Sequence, residues 1–147
     1  MTDENQPKVT RSYATARAFR EALERRLNAE AATTRTDVMR LRRQVAFDRF
    51  LARLFSAENS PWVLKGGYAC ELRLGHRARA TKDIDLTLPH HLTTSSPSPA
   101  DQIRDMLQDA AAEDLGDRFV FVVAKAKEQL VAPPYGGVRY PVTATPR

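Results

Sequence analysis

Two aspartates at a spacing of two, Asp83 and Asp85, and the run Lys65-Gly66-Gly67 are the residues of this chain best suited to chemistry. From Lys82 to Leu88 the sequence alternates, with Ile84, Leu86 and Leu88 on one side and Asp83, Asp85 and Thr87 on the other. That pattern predicts a half-buried strand. Side chains two apart on a strand share a face, so both carboxylates project into one space. Two hard oxygen ligands suit Mg²⁺, which takes one or two carboxylates together with substrate phosphate oxygens and water. Metal held in this way activates an attacking hydroxyl and stabilises a leaving pyrophosphate. An Asp-x-Asp pair also arises by chance in chains of this length, so its context matters.

Gly66 and Gly67 lie between a short apolar run, Trp62-Val63-Leu64, read as a buried strand, and a short helix from Tyr68 to Leu74 stopped by Gly75. Glycines there let a phosphate approach the backbone, and the helix start offers free N–H groups to an anion. A tight turn is the plainer reading of Gly-Gly alone. Strand, Gly-Gly, helix and then a strand with paired aspartates is the combination that points to function. It is not a Walker loop, because the spacing and the terminal Lys-Ser/Thr are absent. Lys65 either reaches a phosphate or is a solvated strand end. Arg77, Arg79 and Lys82 either neutralise a triphosphate or offset nearby acids. Thr81 either bonds a phosphate or ends the strand. His76, His90 and His91 lack metal-ligand spacing, so no zinc site is argued. Cys70 reads as packing, Asp105 and Asp109 as a solvated helix face, Gly136-Gly137 as a hairpin loop, and Arg139 and Tyr140 as core or edge residues.

The elements that must hold these groups follow from periodicity. Residues 1–11 look disordered. A helix begins with Ser12 as its cap, with Phe19, Leu23 and Leu27 as its stripe, and is interrupted from Ala31 to Arg35. A second helix starts near Thr36 or Asp37, with Val38, Leu41, Val45, Leu51, Leu54 and Phe55 inward. Its arginines Arg40, Arg42, Arg43, Arg49 and Arg53 face solvent or wall a nucleic-acid groove. His90 to Pro99 is a linker. A third long helix, capped by Ser98 with Pro99 at its first position, runs to Gly116. Phe119 to Val123 is a strand, Pro133 to Gly137 a loop, and Val138 to Ala144 a last strand. The sum is one α+β (mixed α/β) domain over residues 12–147, with a helical part at 12–58 and a core around a small mixed sheet at 61–147.

The chain has 147 residues, room for one modest core, with 42% hydrophobic and 28% charged residues, a globular composition. No apolar run approaches the ~20 residues that cross a bilayer, and the first residues carry no apolar signal segment. A single cysteine, Cys70, rules out an internal disulfide and fits a reducing cytoplasm. The net charge of +5, mostly arginine, favours polyanion partners: RNA, DNA or nucleotide phosphates.

Trp62 to Ala69, Leu72-Arg73-Leu74-Gly75 and Arg79 to Leu86 together resemble the AbiEii/AbiGii nucleotidyltransferase toxin family, within the DNA polymerase β-like superfamily. The resemblance is dense from Ala46 to Leu88 and thin over the arginine-rich helices and Tyr135 to Val142. It implies a minimal nucleotidyltransferase fold in which Gly66 and Gly67 seat a nucleoside triphosphate, and Lys65, Thr81 and Lys82 are taken with them as the candidate nucleotide-binding residues. Asp83 and Asp85 would be catalytic and bind magnesium. It further implies an NTP substrate, an RNA (tRNA) or protein acceptor, and a cognate antitoxin. Enzymes of this kind use a third carboxylate on a later strand, yet no acidic residue follows Glu128. Asp114 and Asp117 are the nearest substitutes, at a helix end and a strand entrance, positions that suit the role poorly. The domain is therefore expected to be incomplete, as a truncated or split product, with impaired transfer. Two alternatives stand beside this reading: a non-catalytic remnant that binds nucleotide, RNA or antitoxin, and a basic nucleic-acid-binding module in which the aspartates are incidental.

Overall fold

A computed structural model describes residues 12–130 and 137–147. Residues 1–11, and Pro133 to Gly136 of the expected loop, lie outside it. The first helix, α1 (Ala16–Thr34), is capped by Thr15 rather than Ser12, with the Thr15 hydroxyl accepting the Ala18 N–H at 3.1 Å. Ser12 and Tyr13 stay outside the helix, and the Tyr13 ring meets Phe19 edge-on at 5.4 Å. α1 also runs through the expected interruption. Alanine is the best helix former, and Thr33 and Thr34 donate their hydroxyls back to the Ala29 and Glu30 carbonyls at 2.9 and 2.7 Å. It stops at Arg35, whose φ of +53° is left-handed.

The second helix, α2 (Val38–Leu54), begins at the expected Asp37 cap, which accepts the Met39 N–H at 3.1 Å. It buries Leu41, Phe50, Leu51 and Leu54, while Phe55 is exposed just beyond its end. Then come β1 (Val63–Lys65) and α3 (Gly66–Leu74), followed by a single 3₁₀ turn over Gly75–Arg77. β2 covers only Asp85–Thr87, shorter than the expected strand. A 3₁₀ turn at His90–Leu92 occupies part of the linker, and α4 (Pro99–Ala111) starts with proline as expected. α4 ends at Ala111, five residues before Gly116. The C-terminal part comprises β3 (Phe119–Val123), β4 (Glu128–Leu130), β5 (Gly137–Arg139) and β6 (Val142–Pro146). The single strand expected over 138–144 is split at Tyr140-Pro141, since proline has no N–H for a ladder.

The strands pair as three antiparallel two-stranded ladders, β1 with β2, β3 with β6 and β4 with β5, where a small mixed sheet was expected. The α+β class holds. In the first ladder Leu64 faces Leu86 and Lys65 faces Asp85. The predicted alternation is kept: Ile84, Leu86 and Leu88 pack on the core, whereas Asp83, Asp85 and Thr87 are exposed. The core gathers Phe50, Leu54, Trp62, Tyr68, Leu107 and Phe121 from both helical and strand segments. Burial of such side chains at ~25 cal/mol per Å² is the main force joining α2 and α4 to the strands.

Two arginines of α2 correct the expected solvated face. Arg53 is 2% exposed and grips both carboxylate oxygens of Asp117 at 2.6 and 2.9 Å, with its guanidinium 4.9 Å from the Phe121 ring centre. Arg40 is engaged with Glu71 of α3. Arg42 and Arg49 remain partly exposed. No helix among the described residues is long and apolar enough to cross a membrane.

Candidate nucleotide site

The glycine run and the second aspartate meet. Lys65 and Asp85 are cross-strand partners, so Gly66, one residue past the ladder, comes against the Asp85 side chain. A Cβ on Gly66 would lie 2.3 Å from Asp85 Oδ2 and 3.0 Å from its Cγ. Gly66 also has a φ of +71°, in the region that favours glycine. Both facts demand glycine here, and they turn a bare tight turn into a close approach of backbone to carboxylate. Gly67 is likewise close to Thr81, whose Cβ and Oγ1 would stand 3.2 and 3.3 Å from an added Cβ.

α3 starts at these glycines. Its N-cap, Lys65, makes no side-chain capping bond, and no acid lies in the first turn. The first N–H groups of a helix have no partner within it, so this end offers donors and partial positive charge to an anion. Lys65, Lys82, Arg77 and Arg79 are exposed around the same segment. Among the described residues none of these four cations, nor Asp83 or Asp85, forms an ion pair.

Asp83 sits in a bend just before β2 rather than on the regular strand. The cause is local. The Thr81 hydroxyl donates to the Asp83 carbonyl at 3.1 Å and accepts the Asp83 N–H at 3.4 Å. The Thr81 N–H in turn goes to Glu71 at 3.3 Å. Side chains satisfy the backbone that a neighbouring strand would otherwise have paired. Asp83 and Asp85 thus flank Ile84, whose side chain packs on the core.

Behind this bend lies a cluster that sequence reasoning missed. The Glu71 carboxylate, 4% exposed, accepts from Arg40 Nε and Gln44 Nε2, each at 2.8 Å. Burial pushes its pKa upward, but the bonds from Gln44, Arg40 and the Thr81 N–H outweigh burial and hold the carboxyl below its ordinary value. Arg40 also donates to the Ala78 carbonyl at 3.2 Å, and Arg43 to the Thr81 carbonyl at 3.3 Å. Beside it the buried Tyr68 donates its hydroxyl to Asp48, and its ring meets Phe47 edge-on at 4.9 Å. Burial and then the Asp48 carboxylate push the Tyr68 hydroxyl well above its ordinary pKa. A glutamate in a short apolar helix, facing an arginine and a glutamine four apart on α2, was the available signal.

The remaining residues fall as follows. Cys70 is exposed, not packed, because α3 turns its other face to α2. Asp117 is committed to Arg53, and Asp114 caps a turn by accepting the Gly116 N–H. Tyr140 donates its hydroxyl to the Ala100 carbonyl at 2.6 Å, a structural role, and Arg139 is exposed. Asp105 and Asp109 are exposed, as are His90 and His91 in their short turn.

The donor set is compatible with a hard divalent cation. Two exposed carboxylates uncommitted to arginine or lysine, beside open helix N–H groups, are what a magnesium–triphosphate unit asks of a protein. Among the described residues no third histidine, cysteine or acid joins them in a metal-holding group.

The family model described as nucleotidyl transferase AbiEii toxin, type IV TA system, matches residues 49–146, about two thirds of the chain. The match spans the glycine run, both aspartates and the C-terminal strands. No curated protein matches. The chain belongs to the AbiEii family of nucleotidyl transferase toxins from type IV toxin–antitoxin systems.

Proposed function

We propose that this protein transfers a nucleoside monophosphate from an NTP to a hydroxyl of an acceptor, either RNA (tRNA) or protein, in the cytoplasm and under restraint by an antitoxin. The observation that carries the reading is the close approach of the Gly66 backbone to the Asp85 carboxylate at the start of α3, a spot where a larger residue would collide with that carboxylate. Asp83 and Asp85 would hold Mg²⁺, which when bound supplies neutralisation of the triphosphate and of the departing pyrophosphate. The N–H groups at the start of α3, with Lys65 and Lys82 beside them, bind and orient the phosphates. Thr81 fixes the peptide of Asp83 and so the approach of its carboxylate.

Support for RNA as the acceptor comes from charge. A cavity of about 420 Å³ is lined by Arg35, Arg40 and Arg43 with a single acid, Asp37, beside Thr34, Thr36 and Ala80. Phosphodiesters suit such a surface, and binding there would weaken steeply with salt.

The test is transfer of label from α-³²P NTPs to total tRNA in the presence of Mg²⁺. Label transfer that is lost in D85N and D83N supports the reading; transfer unchanged in both variants removes it. A second reading, nucleotide binding without turnover, is favoured by the absence of a third carboxylate beside the pair among the described residues. It predicts thermal stabilisation by NTP with Mg²⁺ and no label in RNA.

A further inference from the structure

We propose that Glu71 is a positioning residue for the carboxylate pair, anchoring the segment before Asp83 to α2 together with Arg40. The inference rests on the reading of this site as the transfer site. Three bonds reach the Glu71 carboxylate, from Arg40, from Gln44 and from the Thr81 N–H. Arg40 and Arg43 add bonds to the Ala78 and Thr81 carbonyls. Both ends of the stretch 78–81 are therefore tied to one rigid helix.

The tie is passed on to the site. Thr81 carries it to Asp83 through both bonds of its hydroxyl, while Gly67 lies against Thr81 and Gly66 against Asp85. The phosphate seat, the bend and the two aspartates are thus one contiguous set of contacts, and Glu71 is its only buried charged member. A buried carboxylate is a poor device for stability alone, because well-packed apolar groups of similar volume serve as well or better. It is a good device for holding an oxygen ligand's backbone in one geometry.

The experiment uses the full chain and its variants E71Q, R43A, D85N and D117N. It reads Mg²⁺-dependent binding of ATP, CTP, GTP and UTP by calorimetry, and amide hydrogen exchange at Thr81 and Asp83. E71Q is expected to raise the Mg²⁺ concentration for half-saturation by about ten-fold and to speed exchange at both amides. R43A, which removes one bond to the same stretch, shifts both readouts the same way by less. D117N weakens a buried ion pair at the other end of α2. It lowers the melting temperature and leaves the Mg²⁺ requirement unchanged, which separates positioning from a general loss of stability.

An unchanged Mg²⁺ requirement in E71Q, while D85N abolishes binding, overturns the positioning role and leaves the transfer site standing. If E71Q does not fold, R43A decides on the same criterion. A parent chain that binds no nucleotide with Mg²⁺, or a D85N variant that binds like the parent, overturns the site reading itself and this inference with it.

Discussion

Replacing Gly66 by alanine adds one carbon at the point where the backbone meets Asp85, and its consequences divide cleanly between stability and function. The φ of +71° costs an L-residue about 1–2 kcal/mol. The new carbon would stand 2.3 Å from Asp85 Oδ2, against a normal carbon–oxygen approach of about 3.3 Å. The carboxylate must therefore retreat by about 1 Å, and turning it off its rotamer adds about 0.5–1.5 kcal/mol. The total of about 1.5–3.5 kcal/mol lowers the melting temperature by roughly 5–10 °C for a domain of this size. A displacement of about 1 Å in a positioned group costs about 100-fold in function. Gly75 provides the control, since its φ is +58° but nothing lies within 4 Å of an added Cβ. G75A should melt lower by the backbone share alone and bind Mg²⁺–NTP normally. Calorimetric binding and thermal melts of both variants decide. Equal losses of binding in the two, or normal binding by G66A, would refute the reasoning.

Three other outcomes follow from the same contacts. R53M leaves the Asp117 carboxylate, 13% exposed, without its bidentate partner. It should lower unfolding free energy by about 3–5 kcal/mol in urea melts. Y68F removes the hydroxyl bonded to Asp48 but keeps the ring against Phe47, so a loss of about 1 kcal/mol is expected, a drop of roughly 3 °C. The acid response follows from Glu71 and Asp117, both held below their ordinary carboxylate pKa. For Asp117, burial opposes this but is outweighed by the bond from Arg53, by the Phe119 N–H and by the charges of Arg53 and Arg49. A depressed folded-state pKa contributes stability that is complete above the unfolded value and lost as pH falls through the folded one. Melting temperature should therefore stay level down to about pH 5 and fall below about pH 4, with E71Q showing a shallower fall.

Much of the site's frame was legible in the sequence because its causes are local. The Asp37 cap, the alternation of Ile84, Leu86 and Leu88, and the glycines at a strand-to-helix junction each depend on residues a few positions apart. What was hidden depends on partners far along the chain. Arg53 looked like one more exposed arginine, and its burial is compensated chiefly by partners far along the chain, Asp117, 64 residues away, and the Phe119 carbonyl. Glu71 drew no notice in the sequence, because its partners Arg40 and Gln44 lie 31 and 27 residues away. The bend at Asp83 is likewise tied to a distant partner, since the Thr81 N–H beside it is held by Glu71. Other differences were readable in principle: Pro141 cannot extend a ladder, and alanines with back-bonding threonines can prolong α1.

The claim on which the rest depends is that two acidic side chains and the glycine-lined start of α3 together receive a metal-bound triphosphate. Anomalous diffraction from crystals of the chain with Mn²⁺ and a non-hydrolysable NTP analogue addresses it directly. The account predicts a manganese peak about 2.0–2.2 Å from oxygens of both Asp83 and Asp85, with the phosphates against the N–H groups of Gly66 and Gly67. Manganese bound elsewhere, or a triphosphate remote from Gly66, would contradict it.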